Sequence, residues 1–401
     1  HREAAAARGR RLVEAARVYD HIYMDQLWSA NRELYERLKQ DSSPLGQARL
    51  RYFWLNKGPW SDLDGHTAFL PGVPEKKPAG ANFYPEDMTR EEFEAWAKTQ
   101  PASAVGFFTV IRRDPQTKAL KQVWYSEAYK SDLQRCAKLL REAAALTTNA
   151  SLKKFLELRA AAFGANEYYD SDLAWMDLDA PIDVTIGPYE TYTDELFGYK
   201  AAFEAYINIR DDVETNKVKF FADHLQEIEN HLPIDAKFRN PKLAAAAPIR
   251  VVNEVIASGD AAHAVQTAAY NLPNDERVIS QKGAKRVMLK NVQEAKFEKN
   301  LTPIAARVLP AAARSDLSFD EFFTHILAHE LSHGIGPHQI QIGARASTVR
   351  LEMKELYAAI EEAKADATGL FMLQYMYDRG MLPKAERKLY TTYLASAFRS
   401  L

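Results

Sequence analysis

The sequence predicts an α+β fold in which helices predominate. Two long stretches, residues 3–40 and 348–379, repeat apolar residues at the spacing of an amphipathic helix, and several shorter stretches share this period. Five short runs rich in β-branched and aromatic residues predict strands. We find no internal repeat and no low-complexity tract. Helical patterns therefore cover much more of the chain than strand patterns do.

Length and composition are those of a globular protein with more than one domain. At 401 residues, the chain exceeds the usual size of a single domain. Its 47% hydrophobic and 26% charged residues are ordinary for a soluble protein. The net charge of −2, without basic or acidic blocks, argues against a nucleic acid or an anionic membrane as partner. No window approaches the roughly twenty apolar residues of a transmembrane helix.

The single cysteine, Cys136, excludes an internal disulfide and any site built from several cysteines. One cysteine fits the cytoplasm, but a periplasmic protein also needs no disulfide, so both compartments stay open. The chain starts at His1 rather than Met, so we expect that a leader or upstream segment has been removed. It ends at Leu401 inside an apolar, helix-like run without a capping residue, so we expect a truncation there.

Local end signals place the helices. Thr89 with Glu92, and Ser318 with Glu321, have the spacing of a capping box at a helix start. The polar segment of residues 41–44, which ends in a proline, breaks the first helix. The helices predicted on this basis cover residues 3–40, 89–100, 131–146, 152–164, 211–232, 318–334 and 348–379.

The strands lie between these helices. The first two are separated by a turn that opens with Asp114-Pro115. Two further stretches, 57–85 and 270–275, are rich in turn-forming residues and are predicted to be irregular. The predicted strands cover residues 106–113, 122–126, 184–186, 249–256 and 286–289.

The segment from Ser318 to Gly334, SFDEFFTHILAHELSHG, contains an HExxH motif formed by His329, Glu330 and His333. Residues four apart lie on one face of a helix, so the two imidazoles can bind one metal ion. Glu330 lies beside them, close enough to act on a water molecule at that ion. The motif thus lies on the element that its chemistry requires.

A third ligand is expected in the helix predicted over residues 348–379. Glu362 and Asp366 are four apart and share a face, so one carboxylate can bind the metal while the other accepts a hydrogen bond from a ligating imidazole. By itself, this EEAKAD run would be interpreted as a solvated helix face with ordinary ion pairs. Its place after an HExxH helix favours the metal site. His325, one turn before His329, is either a packed histidine or a support of this site.

At this point the sequence resembles the dipeptidyl peptidase III family of zinc metallopeptidases, in particular its bacterial HExxH-type members. The family has an HExxGH or HExxH motif followed by a helix with EECRAE. It also has a GP…ESY segment, an INIPNYDD segment and a run FKNVSLGNV. The similar segments here occur in the same order and are residues 187–192 (GPYETY), 270–275 (YNLPND), 284–292 (AKRVMLKNV), 329–333 and 361–366.

The resemblance implies a site with one Zn²⁺ per chain. It implies that the zinc ligands are His329, His333 and Glu362, that Glu330 is the general base, and that Asp366 and Glu361 support the ligands. It further implies that Tyr192 polarises the scissile carbonyl, and that Glu190, Asn271 and Asn274 hold the free amine and first peptide unit of a peptide substrate.

The resemblance also implies a shape with two lobes and a wide cleft. The predicted lower lobe comprises residues 1–210 and 255–300, and the helical zinc-binding lobe comprises residues 211–254 and 301–401. The lower lobe is expected to contain a small β-barrel that draws on the strands near Gly106, Gln122, Val184, Ile249 and Arg286.

The function predicted from these features is the release of dipeptides from the N-terminus of peptides by attack of an activated water. A zinc endopeptidase or aminopeptidase with the same ligand pattern is the first alternative, and a non-catalytic peptide- or metal-binding protein is the second. The zinc motif lacks the extra residue of HExxGH, and the gap to the Glu362 helix is shorter than in animal members. A family histidine that assists the transition state, and basic substrate-binding residues, are expected beyond Leu401.

Overall fold

The computed structural model describes residues 2–243 and 248–398. Two compact units are present in this part of the chain. Unit 1 comprises residues 2–210 and 252–285, and unit 2 comprises residues 211–251 and 286–398. The truncation expected at Leu401 concerns a residue outside the described ranges. No helix within those ranges has both the length and the apolar character that crossing a membrane requires.

Helices dominate the secondary structure, so the prediction of a mostly helical α+β fold is confirmed. The α-helices are, in chain order, α1 (Arg2–Leu27), α2 (Asn31–Leu38), α3 (Pro44–Asn56), α4 (Arg90–Ala97), α5 (Tyr125–Ala128), α6 (Lys130–Ala145), α7 (Ala150–Ala165), α8 (Tyr169–Met176), α9 (Asp212–Asp223), α10 (Leu225–His231), α11 (Glu276–Lys282), α12 (Lys290–Lys296), α13 (Thr302–Val308), α14 (Phe319–Ser332), α15 (Val349–Met353), α16 (Tyr357–Asp378) and α17 (Glu386–Ala397). The β-strands are β1 (Trp60–Ser61), β2 (Thr67–Ala68), β3 (Thr109–Arg113), β4 (Leu120–Trp124), β5 (Ile182–Glu190), β6 (Ala202–Arg210), β7 (Ile249–Gly259), β8 (Ala269–Leu272), β9 (Lys285–Leu289), β10 (Gln339–Ile342) and β11 (Arg345–Thr348).

The strands do not form the small barrel that the resemblance implied. The segments near Gly106 and Gln122 pair with each other as β3 and β4, in a separate two-stranded sheet. Those near Val184, Ile249 and Arg286 belong to a five-stranded sheet of order β5-β6-β7-β9-β8. This order is linear, with β5 and β8 at the edges, so the sheet within the described residues is open rather than closed.

Six strands of the described residues lie where the sequence analysis predicted none. Two of them, β1 and β2, lie in the stretch 57–85, which was predicted to be irregular. Residues of β6 are buried at seven successive positions, so its sequence lacks the alternation of apolar and polar residues that marks a half-exposed strand. β8 lies in the stretch that was predicted to be a turn. The hairpin of β10 and β11 follows the HExxH helix, where the sequence pattern favoured helix.

The first predicted helix is divided in the structure. α1 ends at Leu27, and the buried side-chain amide of Asn31 donates hydrogen bonds to the carbonyl oxygens of Met24, at 2.9 Å, and Lys57, at 3.1 Å. The carbonyl oxygen of Met24 also accepts a hydrogen bond from the backbone N–H of Trp28 at 3.2 Å, so the amide adds a second bond at the end of the helix. α1 packs against α6 and β6 through its apolar face. The buried residues of this face include Leu12, Ala16, Tyr19, Ile22 and Tyr23.

A buried ion pair fixes the end of β5. Nη2 of Arg159 lies 2.5 Å from Oδ1 of Asp172, and the same oxygen accepts a hydrogen bond from Tyr189 Oη at 3.0 Å. Gly187 lies directly over the guanidinium, because a Cβ at this position would be 2.5 Å from Nη1 of Arg159. The side chain of Arg159 therefore packs against the backbone that leads to Glu190.

Replacing Asp172 by Ala should lower the free energy of unfolding by about 3–5 kcal/mol, because the guanidinium of Arg159 would stay buried without a counter-charge. Glu157→Ala is the matched control: it removes an exposed pair with Lys153 and should cost less than about 0.5 kcal/mol. Urea denaturation of both variants measures the difference. Equal effects would contradict the assignment of the Arg159–Asp172 pair as a structural anchor.

Candidate metal centre

The HExxH motif lies on α14, where the sequence predicts a helix. Oγ of Ser318 accepts a hydrogen bond from the backbone N–H of Glu321 and so caps the first turn. The Glu321 side chain does not complete the capping box by bonding back to the backbone N–H of Ser318. Its carboxylate instead accepts a hydrogen bond from Tyr377 Oη at 2.6 Å. Phe323 and Leu327 are buried and fix the orientation of the helix.

α16 packs closely against α14, and small residues make this approach possible. A Cβ at Gly369 would lie only 3.0 Å from the backbone nitrogen of His329. Ala365, one turn earlier on α16, is fully buried. The short distance between the two backbones lets carboxylates of α16 reach the imidazoles of α14.

Two carboxylates orient the imidazoles of the motif. Nδ1 of His329 lies 2.7 Å from Oδ1 of Asp366. Nδ1 of His333 lies 3.1 Å from Oε1 of Glu361. An ionised carboxylate can only accept, so Nδ1 carries the hydrogen in both rings and Nε2 keeps its lone pair for another ligand. Both Nε2 atoms face the carboxylate of Glu362, at 3.3 Å from His329 and 3.8 Å from His333.

The neighbouring donors favour the ionised form of these supporting carboxylates. The hydrogen bond from His329 lowers the pKa of Asp366 against the opposing effect of burial. Burial acts against the ionisation of Glu361, but hydrogen bonds from Lys364 and His333 outweigh it and lower its pKa. Nζ of Lys364 lies 2.7 Å from Oε1 of Glu361. The acceptors that hold the two Nδ1–H groups are therefore charged at neutral pH.

Glu362 and Glu330 both present a carboxylate to the two histidines. An oxygen of Glu330 lies within 4.8 Å of a ring nitrogen of His329 and of His333. The Glu330 carboxylate, however, pairs with the guanidinium of Arg286. Glu362 instead faces both free Nε2 atoms with an exposed side chain. Glu362 is therefore the better placed third donor, and Glu330 lies beside the donor set.

The donor set suits zinc. Imidazole nitrogens and a carboxylate oxygen are the ligands of catalytic zinc sites, which use three protein ligands and leave one position open. Carboxylate partners on Nδ1 are also typical of such sites, because they fix the tautomer and raise the basicity of the ring. The residues present could therefore hold one zinc ion.

Tyr393 and His325 add to the support of Asp366. Tyr393 Oη donates a hydrogen bond to Oδ2 of Asp366 at 3.3 Å. The ring of His325 packs on that of Tyr393, with centroids 4.8 Å apart, and its Nε2 donates to the backbone carbonyl oxygen of Asp366 at 3.2 Å. Burial lowers the pKa of His325, so this ring is neutral. The sequence analysis left His325 undecided and missed Tyr393, since no local pattern connects α17 to α14.

The predicted substrate-binding residues lie in unit 1, whereas the predicted metal ligands lie in unit 2. Glu190 ends β5, and its Oε1 accepts a hydrogen bond from the backbone N–H of Tyr192 at 2.8 Å. The Tyr192 side chain is 84% exposed. Asn271 is an exposed residue of β8, and Nδ2 of Asn274 donates to the carbonyl oxygen of Tyr189 at 2.7 Å. Asn274 is thereby tied to the residue that precedes Glu190.

An HExxH helix that packs on a carboxylate-bearing helix defines a class of metal-dependent hydrolase. The family model described as peptidase family M49 matches residues 109–342. The chain belongs to this family, and the resemblance carried by its motifs is confirmed.

Two solved structures are similar over nearly the whole chain. The structure of DPP III from Caldithrix abyssi is 48% identical with a TM-score of 0.92, covering 99% of this chain and 76% of that chain. The structure of dipeptidyl-peptidase III from Corallococcus sp. strain EGB is 53% identical with a TM-score of 0.79, covering 99% of this chain and 74% of that chain.

A curated relative from Arabidopsis thaliana, named Nudix hydrolase 3, is 43% identical. The match covers 97% of this chain but 57% of that protein. The chain thus spans little more than half the length of this relative. The relative's name describes the longer protein, and we transfer none of it to this chain.

Replacing Asp366 by Asn should weaken zinc binding about 10- to 100-fold, because the imidazole of His329 would lose its charged acceptor. Competition with a chromophoric chelator measures the affinity. Asp378→Asn is the matched control on the same helix, where the carboxylate accepts a hydrogen bond from the exposed side chain of Gln374. An affinity equal to that of the control would contradict the role of Asp366.

Proposed function

We propose that this chain is a zinc-dependent peptidase that releases dipeptides from the free N-terminus of peptides. The observation that supports it most directly is the convergence of the Nε2 atoms of His329 and His333 on the carboxylate of Glu362. Membership of peptidase family M49 and the similarity to two dipeptidyl peptidase III structures agree with the proposal.

His329, His333 and Glu362 are the proposed zinc ligands. Zinc held there would polarise the scissile carbonyl and lower the pKa of a water molecule to about 7. Asp366 and Glu361 keep both imidazoles in the tautomer that presents Nε2.

Glu330 is the proposed general base. It accepts a proton from the attacking water and delivers it to the leaving amine. Its position supports this role, because one of its carboxylate oxygens lies within 4.8 Å of a ring nitrogen of His329 and of His333, where the water would be held.

The proposed peptide-binding residues belong to unit 1. Tyr192 donates a hydrogen bond to the carbonyl oxygen as negative charge develops on it. Glu190 binds the free amine, and Asn271 and Asn274 bind the first peptide unit, so that two residues are counted from the N-terminus. The exposure of Tyr192 and the tie between Asn274 and the backbone before Glu190 are consistent with this arrangement.

The proposal includes a two-lobed organisation, in which unit 1 is the peptide-binding lobe and unit 2 the catalytic lobe. The lobe boundaries predicted from the sequence are residues 254 and 300, and the compact units change nearby, at residues 251 and 285. The pairing of Arg286 with Glu330 favours the boundary at residue 285, because it ties the start of the 286–300 segment to the catalytic residues.

Replacing Glu330 by Gln should leave zinc bound and reduce turnover of a dipeptidyl-arylamide about 10²- to 10⁴-fold, because the amide cannot accept the proton. Metal analysis and initial rates on the same preparation separate the two effects. Glu352→Gln is the control, since its carboxylate pairs with exposed Arg345. Retained turnover in the Glu330 variant would contradict its role as base.

The free amine distinguishes dipeptide release from endopeptidase or aminopeptidase action. A hexapeptide with a free N-terminus should yield its N-terminal dipeptide as the first product. Its N-acetylated form should be cleaved at least about 100-fold more slowly, because the Glu190 carboxylate is left without its charged partner. Mass spectrometry of early time points identifies the products. Equal cleavage of both peptides would favour an endopeptidase, and single-residue release would favour an aminopeptidase.

A further inference from the structure

Three acidic side chains from separate segments of unit 1 form a cluster that we call the acidic triad. Glu190 ends β5, Glu204 lies in β6, and Asp260 directly follows β7. One carboxylate oxygen from each residue lies within 4.8 Å of the other two. Glu190 and Asp260 also line a cavity of about 330 Å³. The triad therefore borders a space that a ligand group can enter.

The basic groups that line this cavity leave the triad uncompensated. Lys77 pairs with Glu195 at 2.6 Å. His66 lies within 3.4 Å of carboxylate oxygens of Asp62 and Glu195. Burial lowers the pKa of His263 to about 4, so that ring is neutral at pH 7. Nδ1 of His263 lies 4.0 Å from Oδ1 of Asp260, but the neutral ring brings no positive charge to the triad at pH 7.

Glu204 is the clearest example of a triad carboxylate without a positively charged partner. The residue is only 5% exposed. Oε2 accepts one long hydrogen bond from Tyr206 Oη at 3.4 Å, and in the described part of the chain Oε1 has no hydrogen-bond partner. Burial, followed by the charges of Asp260 and Glu190, raises the pKa of Glu204 well above its ordinary value. A carboxylate in this position requires a proton or an external cation.

Asp260 is held in place to contribute to the same group. Its Oδ1 accepts a hydrogen bond from Thr193 Oγ1 at 3.0 Å, and Thr193 Oγ1 lies 3.2 Å from Tyr23 Oη. Burial and the neighbouring charge of Glu190 raise the pKa of Asp260 to about 6. The network fixes one oxygen of the residue without supplying a positive charge.

We propose that the acidic triad binds the ammonium group of the peptide N-terminus, with Glu204 and Asp260 acting together with Glu190. This inference rests on the proposed function, which assigns only Glu190 to the amine. Three oxygens no more than 4.8 Å apart lie within about 2.8 Å of a common centre, the length of an N⁺–H···O⁻ hydrogen bond. An ammonium group has three donors, so each carboxylate accepts one.

A divalent metal ion fits the triad less well. Calcium takes about six to eight oxygen ligands, and magnesium requires near-octahedral geometry with several waters. The triad offers only three side chains, which is too few oxygen ligands for either ion. One ammonium group matches the number of acceptors, because each of its three N–H donors can meet one carboxylate.

The test uses the full chain with Glu330→Gln, so that peptides bind without being cleaved. Isothermal titration at pH 7.5 compares a tetra-alanine peptide that has a free amine with its N-acetylated form. Adding Asp260→Asn or Glu204→Gln should weaken binding of the free-amine peptide about 10- to 100-fold, as expected for a lost charge-assisted hydrogen bond. Binding of the acetylated peptide should change less than about twofold, since it carries no ammonium group.

Glu195→Gln is the matched control, because it removes the same charge from the same cavity at a residue already paired with Lys77. Its effect on the free-amine peptide should be small. Unliganded Asp260→Asn and Glu204→Gln should also unfold at the same or a higher temperature, because each removes one of several crowded like charges. Lower unfolding temperatures with equal loss of both peptides would assign the triad to structure and overturn the inference.

Two further outcomes would overturn the inference. One is an unchanged affinity for the free-amine peptide in both variants. The other is binding of calcium or magnesium alone, measured without peptide and lost in Asp260→Asn. Failure of the proposed function has a different signature, because the parent chain would then release no dipeptide from a free-amine peptide, whatever the state of the triad.

Discussion

The hydrogen bonds from the two imidazoles to Asp366 and Glu361 are the constraint on which the candidate metal centre depends. A histidine that is free to rotate can present either ring nitrogen, but a ring whose Nδ1–H is held by a carboxylate presents only Nε2. These hydrogen bonds form because α16 approaches the backbone of α14, and Gly369 is the position that permits it. Helix packing in unit 2 therefore orients both imidazoles.

The parts of the site that the sequence revealed are those encoded by local spacing. His329 and His333 are four apart, as are Glu362 and Asp366, so a helical period alone places each pair on one face. Ser318 likewise marks the start of α14 through a hydrogen bond within one turn. Order along the chain then joined these local signals to a family, and the family model bears this out.

The parts that the sequence did not reveal depend on contacts between distant segments. Tyr393 and Arg286 reach Asp366 and Glu330 from other elements, and their own neighbours in the sequence carry no sign of it. The prediction of a small β-barrel was wrong for a related reason. Strand patterns do not encode which strands pair, and a fully buried strand such as β6 shows no alternation of apolar and polar residues. Long-range pairing, rather than local propensity, decided these features.

The carboxylates of the candidate metal centre and those of the acidic triad have opposite electrostatic character. In unit 2, hydrogen bonds lower the pKa of Asp366, so its ionisation stabilises the fold, and that contribution is lost as pH falls through the lowered value. In unit 1, burial raises the pKa of Asp260 to about 6, so the folded state holds more protons and stability declines as pH rises through that range. At the candidate metal centre, histidines and Lys364 donate hydrogen bonds to Asp366 and Glu361 and so balance their charge. The described residues of the cavity lining supply no comparable positive charge to the acidic triad, and for this reason we propose that the charge arrives with a ligand.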